Sequence, residues 1–164
     1  MFCSFENHFG GVLDWLEAKP QVNVIESIHN QQIVVEYFDA TYAYRFNRGL
    51  LYEIKMERAF PSRKEGREAY ASCMRYFKMV SLHGAETKNS TGKVCRIKAK
   101  RGKLYDLELL NPVQADEQYE LVLVVKEPRF MPFEMQQDHR LGVDEWTAYQ
   151  IVLSQFIRRQ PYFL

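Results

Sequence analysis

The sequence lacks the features that mark several classes of protein. It has three cysteines, Cys3, Cys73 and Cys95, and an odd number of widely separated cysteines does not predict a disulfide framework. The longest uninterrupted apolar run, residues 121–125, is far too short to cross a bilayer. The first residues also lack the charged and apolar regions of a secretory signal. We therefore expect a cytoplasmic protein without a membrane anchor.

An excess of charge of one sign is also missing. The 164 residues include 22 basic and 21 acidic side chains, which gives a formal net charge of +1. A protein that binds nucleic acid or an anionic membrane through its overall field usually carries a larger imbalance. The four histidines are widely separated, and no short spacing of histidine, cysteine or carboxylate predicts a metal site. We expect no metal, no cofactor and no membrane partner.

One alternative that the residues leave open is a small enzyme of unknown class. Asp138 and His139 are adjacent and could act as an acid–base pair, and His83 is the other candidate. Cys95 falls on the apolar face of its predicted strand, where burial lowers the reactivity of a thiol. No spacing brings a nucleophile, a base and an orienting acid together. A non-catalytic protein is therefore our main prediction.

A second alternative is phosphate or nucleic-acid binding at a basic hairpin tip. Lys100, Arg101 and Lys103 lie between two predicted strands, where basic side chains can follow a phosphate backbone. The other basic residues of the hairpin are expected to face acidic ones across the strands, which is ordinary sheet stabilisation. The expected pairs are Lys98 with Asp106 and Arg96 with Glu108. Nucleic acid is thus the less favoured partner.

Aromatic residues, in contrast, are abundant at 14% of the chain. Many lie in residues 33–56, where apolar and polar side chains alternate with the period of a strand. We predict three antiparallel strands here, with a two-residue loop at Asp39-Ala40 and a three-residue loop at residues 47–49 whose third position is Gly49. The predicted pairs are Tyr37 with Tyr42, Val35 with Tyr44, Ile33 with Phe46, Phe46 with Leu50, Tyr44 with Tyr52 and Tyr42 with Ile54.

The remaining segments alternate between helical and strand periods. Ser62 and Glu65 form a capping box that predicts the start of a helix, and Gly84 is the predicted stop. Residues 120–126 are apolar on both faces, which is typical of a central strand that is covered on both sides. The other predicted elements are helices at 8–18 and 144–159, a hairpin at 94–110 and a strand at 22–28.

These elements predict an α+β fold. We expect a single domain over residues 1–164, with two antiparallel three-stranded meanders in one sheet or a partly closed sheet, packed with about three helices. One face of the first meander would gather Tyr37, Tyr42, Tyr44 and Tyr52. Two interpretations of that face stay open. It is either a packed core with hydroxyls at the rim or a concave surface for a ligand or peptide.

Residues 127–142 show neither strand nor helix period. Connections of this length are uncommon within compact domains and are often functional. The chain also carries an apolar segment at residues 160–164. Methionine and phenylalanine are favoured at interaction surfaces, although both segments could instead cover the core of the domain.

We therefore predict a non-catalytic cytoplasmic protein that recognises a protein partner or a small apolar ligand, with self-association as a further option. The predicted contact residues come from the 127–142 segment, the C-terminal segment and the aromatic sheet face. They are Phe130, Met131, Phe133, Met135, Tyr162, Phe163, Tyr42, Tyr44 and Tyr52.

Overall fold

The computed structural model describes residues 3–89, 92–99, 102–112 and 118–135, with the side chains of residues 78–89 and 97–99 outside the description. Residues 1–131 form one compact unit and residues 132–164 a second. The single domain over residues 1–164 therefore stays a prediction. Several predicted features lie outside the described residues. They are Lys100, Arg101, Asp138, His139, the helix at 144–159, Tyr162 and Phe163.

The described helices and strands build one open antiparallel sheet with two helices, so the predicted α+β fold is confirmed. The strand order is β1-β2-β3-β4-β8-β7-β6-β5, which leaves β1 and β5 at the two edges. In chain order the elements are α1 (Phe9–Glu17), β1 (Val22–Ile28), β2 (Gln32–Tyr37), β3 (Ala40–Asn47), β4 (Leu50–Phe60), α2 (Arg63–Val80), β5 (Ser81–Asn89), β6 (Gly92–Ala99), β7 (Leu104–Leu110), β8 (Tyr119–Lys126) and a short 3-10 helix (Pro128–Phe130).

Each meander has four strands rather than the predicted three. Strand β1 completes the first meander where a strand was predicted, whereas β5 was not predicted. Helix α2 ends at Val80, before the predicted stop at Gly84, and the chain continues directly into β5. This strand shows no alternation of apolar residues, so its pairing with β6 rather than its own pattern defines it.

The β3–β4 hairpin corrects the predicted register. Its loop has two residues, Arg48 and Gly49, with φ of 52° and 79°, as a type I′ turn requires. The predicted three-residue loop was therefore wrong. Tyr52 is an extra residue on β4 at a bulge, which restores the predicted facing beyond it. The observed pairs are Asn47 with Leu50, Phe46 with Leu51, Tyr44 with Ile54 and Tyr42 with Met56.

Two other predicted pairings are displaced by two residues. The β2–β3 loop consists of Phe38 and Asp39, and Phe38 takes the positive φ of 55°. In the β6–β7 hairpin Arg96 lies opposite Asp106, with Nε 3.5 Å from Oδ1, rather than opposite Glu108. A shift of two residues leaves every side chain on its predicted face, because successive strand residues point to opposite sides. The observed pairs include Tyr37 with Ala40, Val35 with Tyr42, Ile33 with Tyr44 and Lys98 with Leu104.

Both helices pack against the same face of the sheet. The ring of Phe9 on α1 lies 5.2 Å from that of Phe46 on β3, and Phe77 on α2 lies 5.3 Å from Tyr105 on β7. All these rings belong to the core or pack against it. Gly66 brings α2 close, since a Cβ there would lie 3.1 Å from a side-chain carbon of Leu109. The core therefore lies between the helices and one sheet face, here called the inner face.

The capping box at the start of α2 is confirmed. The Glu65 amide donates to Ser62 Oγ at 3.3 Å, and Ser62 Oγ donates to Glu65 Oε2 at 2.9 Å. The hydroxyl thereby satisfies one of the amides that the first turn of a helix leaves without an intrahelical partner. The cap at Ser62 lies two residues after the end of β4 at Phe60, and α2 then packs on the inner face.

Candidate functional site

The three predicted tyrosines of the first meander lie in the interior. Tyr44 is fully buried, and Tyr42 and Tyr52 are nearly so. Burial raises the pKa of all three hydroxyls, because each phenolate would lose its hydration. Tyr42 and Tyr44 belong to the main core cluster. The burial favours the packed core over an open aromatic binding surface.

The segment that follows β8 is hydrogen-bonded to the sheet. The Glu127 amide donates to the carbonyl of Tyr52 at 2.8 Å, and Asn47 Nδ2 donates to the carbonyl of Phe130 at 3.0 Å. Met131 is buried and Phe130 is half-buried against the core. Phe130 and Met131, the first part of the predicted contact segment, thus cover the core of their own unit. This is the second of the two interpretations that the sequence left open for the segment.

The second part of that segment differs. Phe133 is 65% exposed, while Met135 is half-buried. Both belong to the second unit, of which the structure describes residues 132–135. Among the predicted contact residues that are described, Phe133 alone presents most of its side chain to solvent.

Lys103, the described member of the predicted phosphate site, is engaged within its own unit. Its Nζ lies 5.1 Å from the centre of the Phe5 ring, a cation–π distance. Its charge also acts on Glu127. Burial disfavours that carboxylate, but hydrogen bonds from Arg129 and the charges of Arg129 and Lys103 hold its pKa below the ordinary value. The geometry at Lys103 is therefore that of a structural cation.

The opposite face of the sheet, here called the outer face, carries a groove of about 380 Å³ across β4, β8 and β7. Neither α1 nor α2 lies on this face, since both pack on the inner one. All the lining side chains alternate outward from their strands. They are Lys55, Glu57, Asp106, Glu108, Leu110, Glu120, Val122, Val124 and Lys126.

Val122 lies at the middle of this outer groove. It pairs with Glu57 on β4 and with Glu108 on β7, and Glu120 precedes it by two residues on the same face of β8. Directly opposed side chains in a sheet lie about 5 Å apart and diagonal ones about 7–8 Å apart. An apolar floor is thus surrounded by carboxylates from three strands.

The charges of the outer groove are only partly neutralised. Lys55 forms an ion pair with Glu57, and Arg96 pairs with Asp106. Within the described part of the chain, Glu108 and Glu120 form no ion pair. The groove therefore carries two carboxylates that no described cation pairs, beside its apolar floor.

One end of the outer groove is built on a buried carboxylate. Glu53 is almost fully buried, and its Oε1 accepts from Arg45 Nη1 at 2.9 Å. Lys126 Nζ lies 3.8 Å from its other oxygen. A buried charge is tolerated when it is paired and hydrogen-bonded. The Lys126 ammonium is therefore paired with Glu53 at this end of the groove.

The sequence did not identify the outer groove, because its walls come from three strands that only the fold brings together. One feature did point to it. Residues 120–126 were predicted to be covered on both faces, and Val122 and Val124 supply the outward apolar set. Of the described helices, α1 and α2 pack only on the other set. On the outer face Val122 is 9% exposed and Val124 is half-buried, so the groove is shallow at Val122.

Comparison with other proteins adds nothing to this geometry. Neither a protein family model, nor a curated protein, nor a solved structure matches the chain. Among the described residues, no three histidine, cysteine or acidic side chains are grouped so that they could hold a metal ion. In the same part of the chain, no helix combines the length and the apolar character that crossing a membrane demands.

Proposed function

We propose that this protein is a non-catalytic binding protein that recognises a segment of another protein at the outer groove. The observation that carries the proposal is the two-sided apolar character of β8, whose inner set is buried and whose outer set, Val122 at 9% exposure and the half-buried Val124, lines the groove. A strand that is apolar on both faces is normally covered on both. A bound segment would provide the second cover.

Apolar contact at the floor supplies the binding energy in this proposal. Val124 is half-buried, and Leu110 adds further apolar surface on β7. Burying such surface contributes about 25 cal/mol per Å². The polar rim resembles protein-binding sites more than the mostly apolar cavities that hold small ligands. A protein segment is therefore preferred over a small apolar ligand.

Charge defines which segment fits. Glu108 and Glu120 carry charges without an ion pair among the described residues, and they stand beside an apolar floor. A partner segment with lysine or arginine next to leucine-like residues would meet both features. Hydrogen bonds between charged groups are shorter and stronger than neutral ones. Complementary charge would also speed association at low salt.

Phe133 remains a separate proposed contact. Phe133 is 65% exposed, and phenylalanine is enriched at protein interfaces relative to the rest of the surface. Phe130 and Met131 are packed within the first unit, so they hold the preceding segment in place rather than contact a partner. Substitution of Phe133 by alanine therefore tests a contact that is independent of the groove variants.

The experiment for the outer groove measures binding of a short fluorescein-labelled peptide in which lysine and leucine alternate, by fluorescence anisotropy with the full chain. A peptide in which glutamate replaces lysine is the probe control. The protein variants are the double substitution Glu108→Gln with Glu120→Gln, and Glu68→Gln on the exposed side of α2 as the matched control.

We expect the double variant to weaken binding by about five- to tenfold and to reduce its salt dependence, since each exposed charge pair is worth up to about 1 kcal/mol. Glu68→Gln should leave the affinity unchanged. Equal affinities of the two variants, or equal binding of the acidic peptide, would contradict the proposal. Circular dichroism of each variant confirms that these outward substitutions leave the fold intact.

A further inference from the structure

The outer groove lies on the face of three interior strands. Strand β4 pairs with β3 and β8, β8 pairs with β4 and β7, and β7 pairs with β6 and β8. The ladders on both sides of β8 continue without a bulge from Glu120 to Lys126. These ladders engage the backbone amides and carbonyls of the three strands. An occupant of the groove therefore meets side chains rather than backbone donors and acceptors.

This arrangement distinguishes two ways in which a protein segment can bind. An extended segment binds to a sheet through backbone hydrogen bonds at an open edge. Laid on a sheet face, it would cover its own amides and carbonyls with the apolar floor, and polar groups buried without a partner cost free energy. A helix satisfies its backbone groups internally and can present an apolar stripe to the floor. The outer groove therefore favours a helical segment over an extended one.

The dimensions of the outer groove fit one helix that runs along β8. The lining residues of this strand extend from Glu120 to Lys126, six residue steps or about 20 Å. About 13 helical residues have that length, at a rise of about 1.5 Å per residue. The flanking strands β4 and β7 lie about 10 Å apart, because neighbouring strands are separated by about 4.8 Å. A helix with its side chains is about 10–12 Å wide.

The charges at the groove specify the polar side of such a helix. Glu108 and Glu120 form no ion pair within the described part of the chain. They are diagonal neighbours on the outer face, because Glu108 lies opposite Val122 and Glu120 lies two residues before Val122. Diagonal positions of a sheet are about 7–8 Å apart, and positions one turn apart on a helix about 5–6 Å. Two basic residues one helical turn apart, with their long side chains, can therefore meet both carboxylates.

We propose that the outer groove binds an amphipathic helix whose apolar stripe lies on Val122 and Val124 and whose basic residues pair with Glu108 and Glu120. This inference rests on the proposed function and names the class of segment that the groove recognises. On the β4 side, Glu57 is already paired with Lys55. The basic residues of the helix therefore lie along one flank of its apolar stripe, the flank that faces β7.

Fluorescence anisotropy with the full chain compares two fluorescein-labelled peptides of identical composition, each of about 13 residues of leucine, lysine and alanine. The first has leucine at the helical spacing i, i+3, i+4, i+7 and two lysines four residues apart. The second has the same residues in strand alternation. We expect the helical peptide to bind at least about tenfold more tightly, because the alternating one would bury unpaired backbone groups. Proline at the centre of the first peptide should remove this advantage, since it breaks the helix.

Two valine variants test whether the helix lies on the floor of the groove. Val124→Thr keeps a β-branched side chain but adds a hydroxyl to the apolar floor, and it should weaken binding of the helical peptide about threefold or more. Val34→Thr is the matched control, because Val34 is likewise half-buried and lies on β2, outside the groove. It should leave the affinity unchanged. Equal losses for the two variants would overturn the proposed contact.

The same measurements separate this inference from the proposed function. If the alternating peptide binds as tightly as the helical one, and Glu108→Gln with Glu120→Gln still weakens both, the helix is overturned and the groove remains a binding site. If neither peptide binds, or the double variant changes nothing, the proposed function fails and the helix fails with it. A helical gain in the far-ultraviolet circular dichroism difference spectrum on binding would support the helix directly.

Discussion

Glu127 and Arg129 form a bidentate ion pair that joins a buried carboxylate to an exposed guanidinium. Arg129 Nε and Nη2 lie 2.9 and 3.0 Å from the two carboxylate oxygens, and the side chains are 65% and 2% exposed for arginine and glutamate. The Arg129 amide donates to the same carboxylate at 3.3 Å. Three donors thus compensate the burial of one charge at the point where the chain leaves β8.

This ion pair makes the free energy of unfolding depend on pH in the acid range. The pKa of Glu127 is lowered from 4.5 in the fold, so its contribution is complete above that value and is lost as the pH falls through the folded pKa. Glu127→Gln should reduce the free energy of unfolding at pH 7 by about 1–2 kcal/mol. Urea unfolding from pH 7 into the acid range should show the difference from wild type shrinking as the pH falls towards and through the folded pKa. Glu68→Gln, which removes an exposed carboxylate, should not change the stability in this range; a constant difference for Glu127→Gln would contradict the assignment.

The Arg48-Gly49 turn predicts opposite effects at its two positions. Arg48 has a φ of 52°, in the region that asparagine tolerates better than arginine, and Asn-Gly is a preferred type I′ pair. Arg48→Asn should raise the free energy of unfolding by about 0.5 kcal/mol, and Gly49→Ala should lower it by about 1–2 kcal/mol. Chemical denaturation measures both. No gain from Arg48→Asn would favour a three-residue loop, in which Arg48 takes a right-handed conformation.

The cap of α2 gives a third prediction. Ser62→Ala removes the acceptor for the Glu65 amide and should destabilise the protein by about 1 kcal/mol. The control is Ser72→Ala in the middle of the same helix, where the hydroxyl donates to the carbonyl of Glu68 at 3.0 Å. That exposed substitution should change stability by less than about 0.5 kcal/mol. Equal losses for the two serines, measured by urea denaturation, would rule out the capping role.

The thiol of Cys3 should react slowly in the native protein. Burial raises its pKa to about 11, so roughly one molecule in a thousand carries the thiolate at pH 8. Alkylation of Cys3 by iodoacetamide, followed by mass spectrometry, should speed up about tenfold per pH unit between pH 8 and 10. In urea the thiol should react at the rate of an ordinary cysteine. Rapid native labelling at pH 7 would show that Cys3 is accessible and acidic.

Local patterns of the sequence predicted most of what depends on neighbouring residues. Alternation in residues 33–56 placed Ile33, Val35 and Tyr44 on the buried face, although the register was displaced, because a two-residue shift preserves facing. The Ser62–Glu65 box located the start of α2 because its hydrogen bonds lie within one turn.

Features that depend on distant residues could not be predicted. The pairing of Phe60 with Tyr119 joins β4 to β8 across the chain, and no local pattern specifies it. The outer groove exists only through that pairing, since Glu57 and Glu108 flank Val122 from strands on either side. The predicted loop positions were wrong for another reason. Arg48 and Phe38 adopt positive φ values that their residue types disfavour.

The central β4–β8 pair has a consequence for how the chain is made. Strand β4 meets β3 through a tight turn, but its other partner is synthesised 59 residues later at Phe60–Tyr119 and 73 residues later at Glu53–Lys126. At about 5–20 residues per second, a ribosome exposes the first meander for several seconds before β8 emerges. During that interval β4 is an unprotected edge of eleven residues. Nascent chains arrested between residues 60 and 119 should therefore be the species that aggregate or recruit chaperones, and completion of β8 should end that vulnerability.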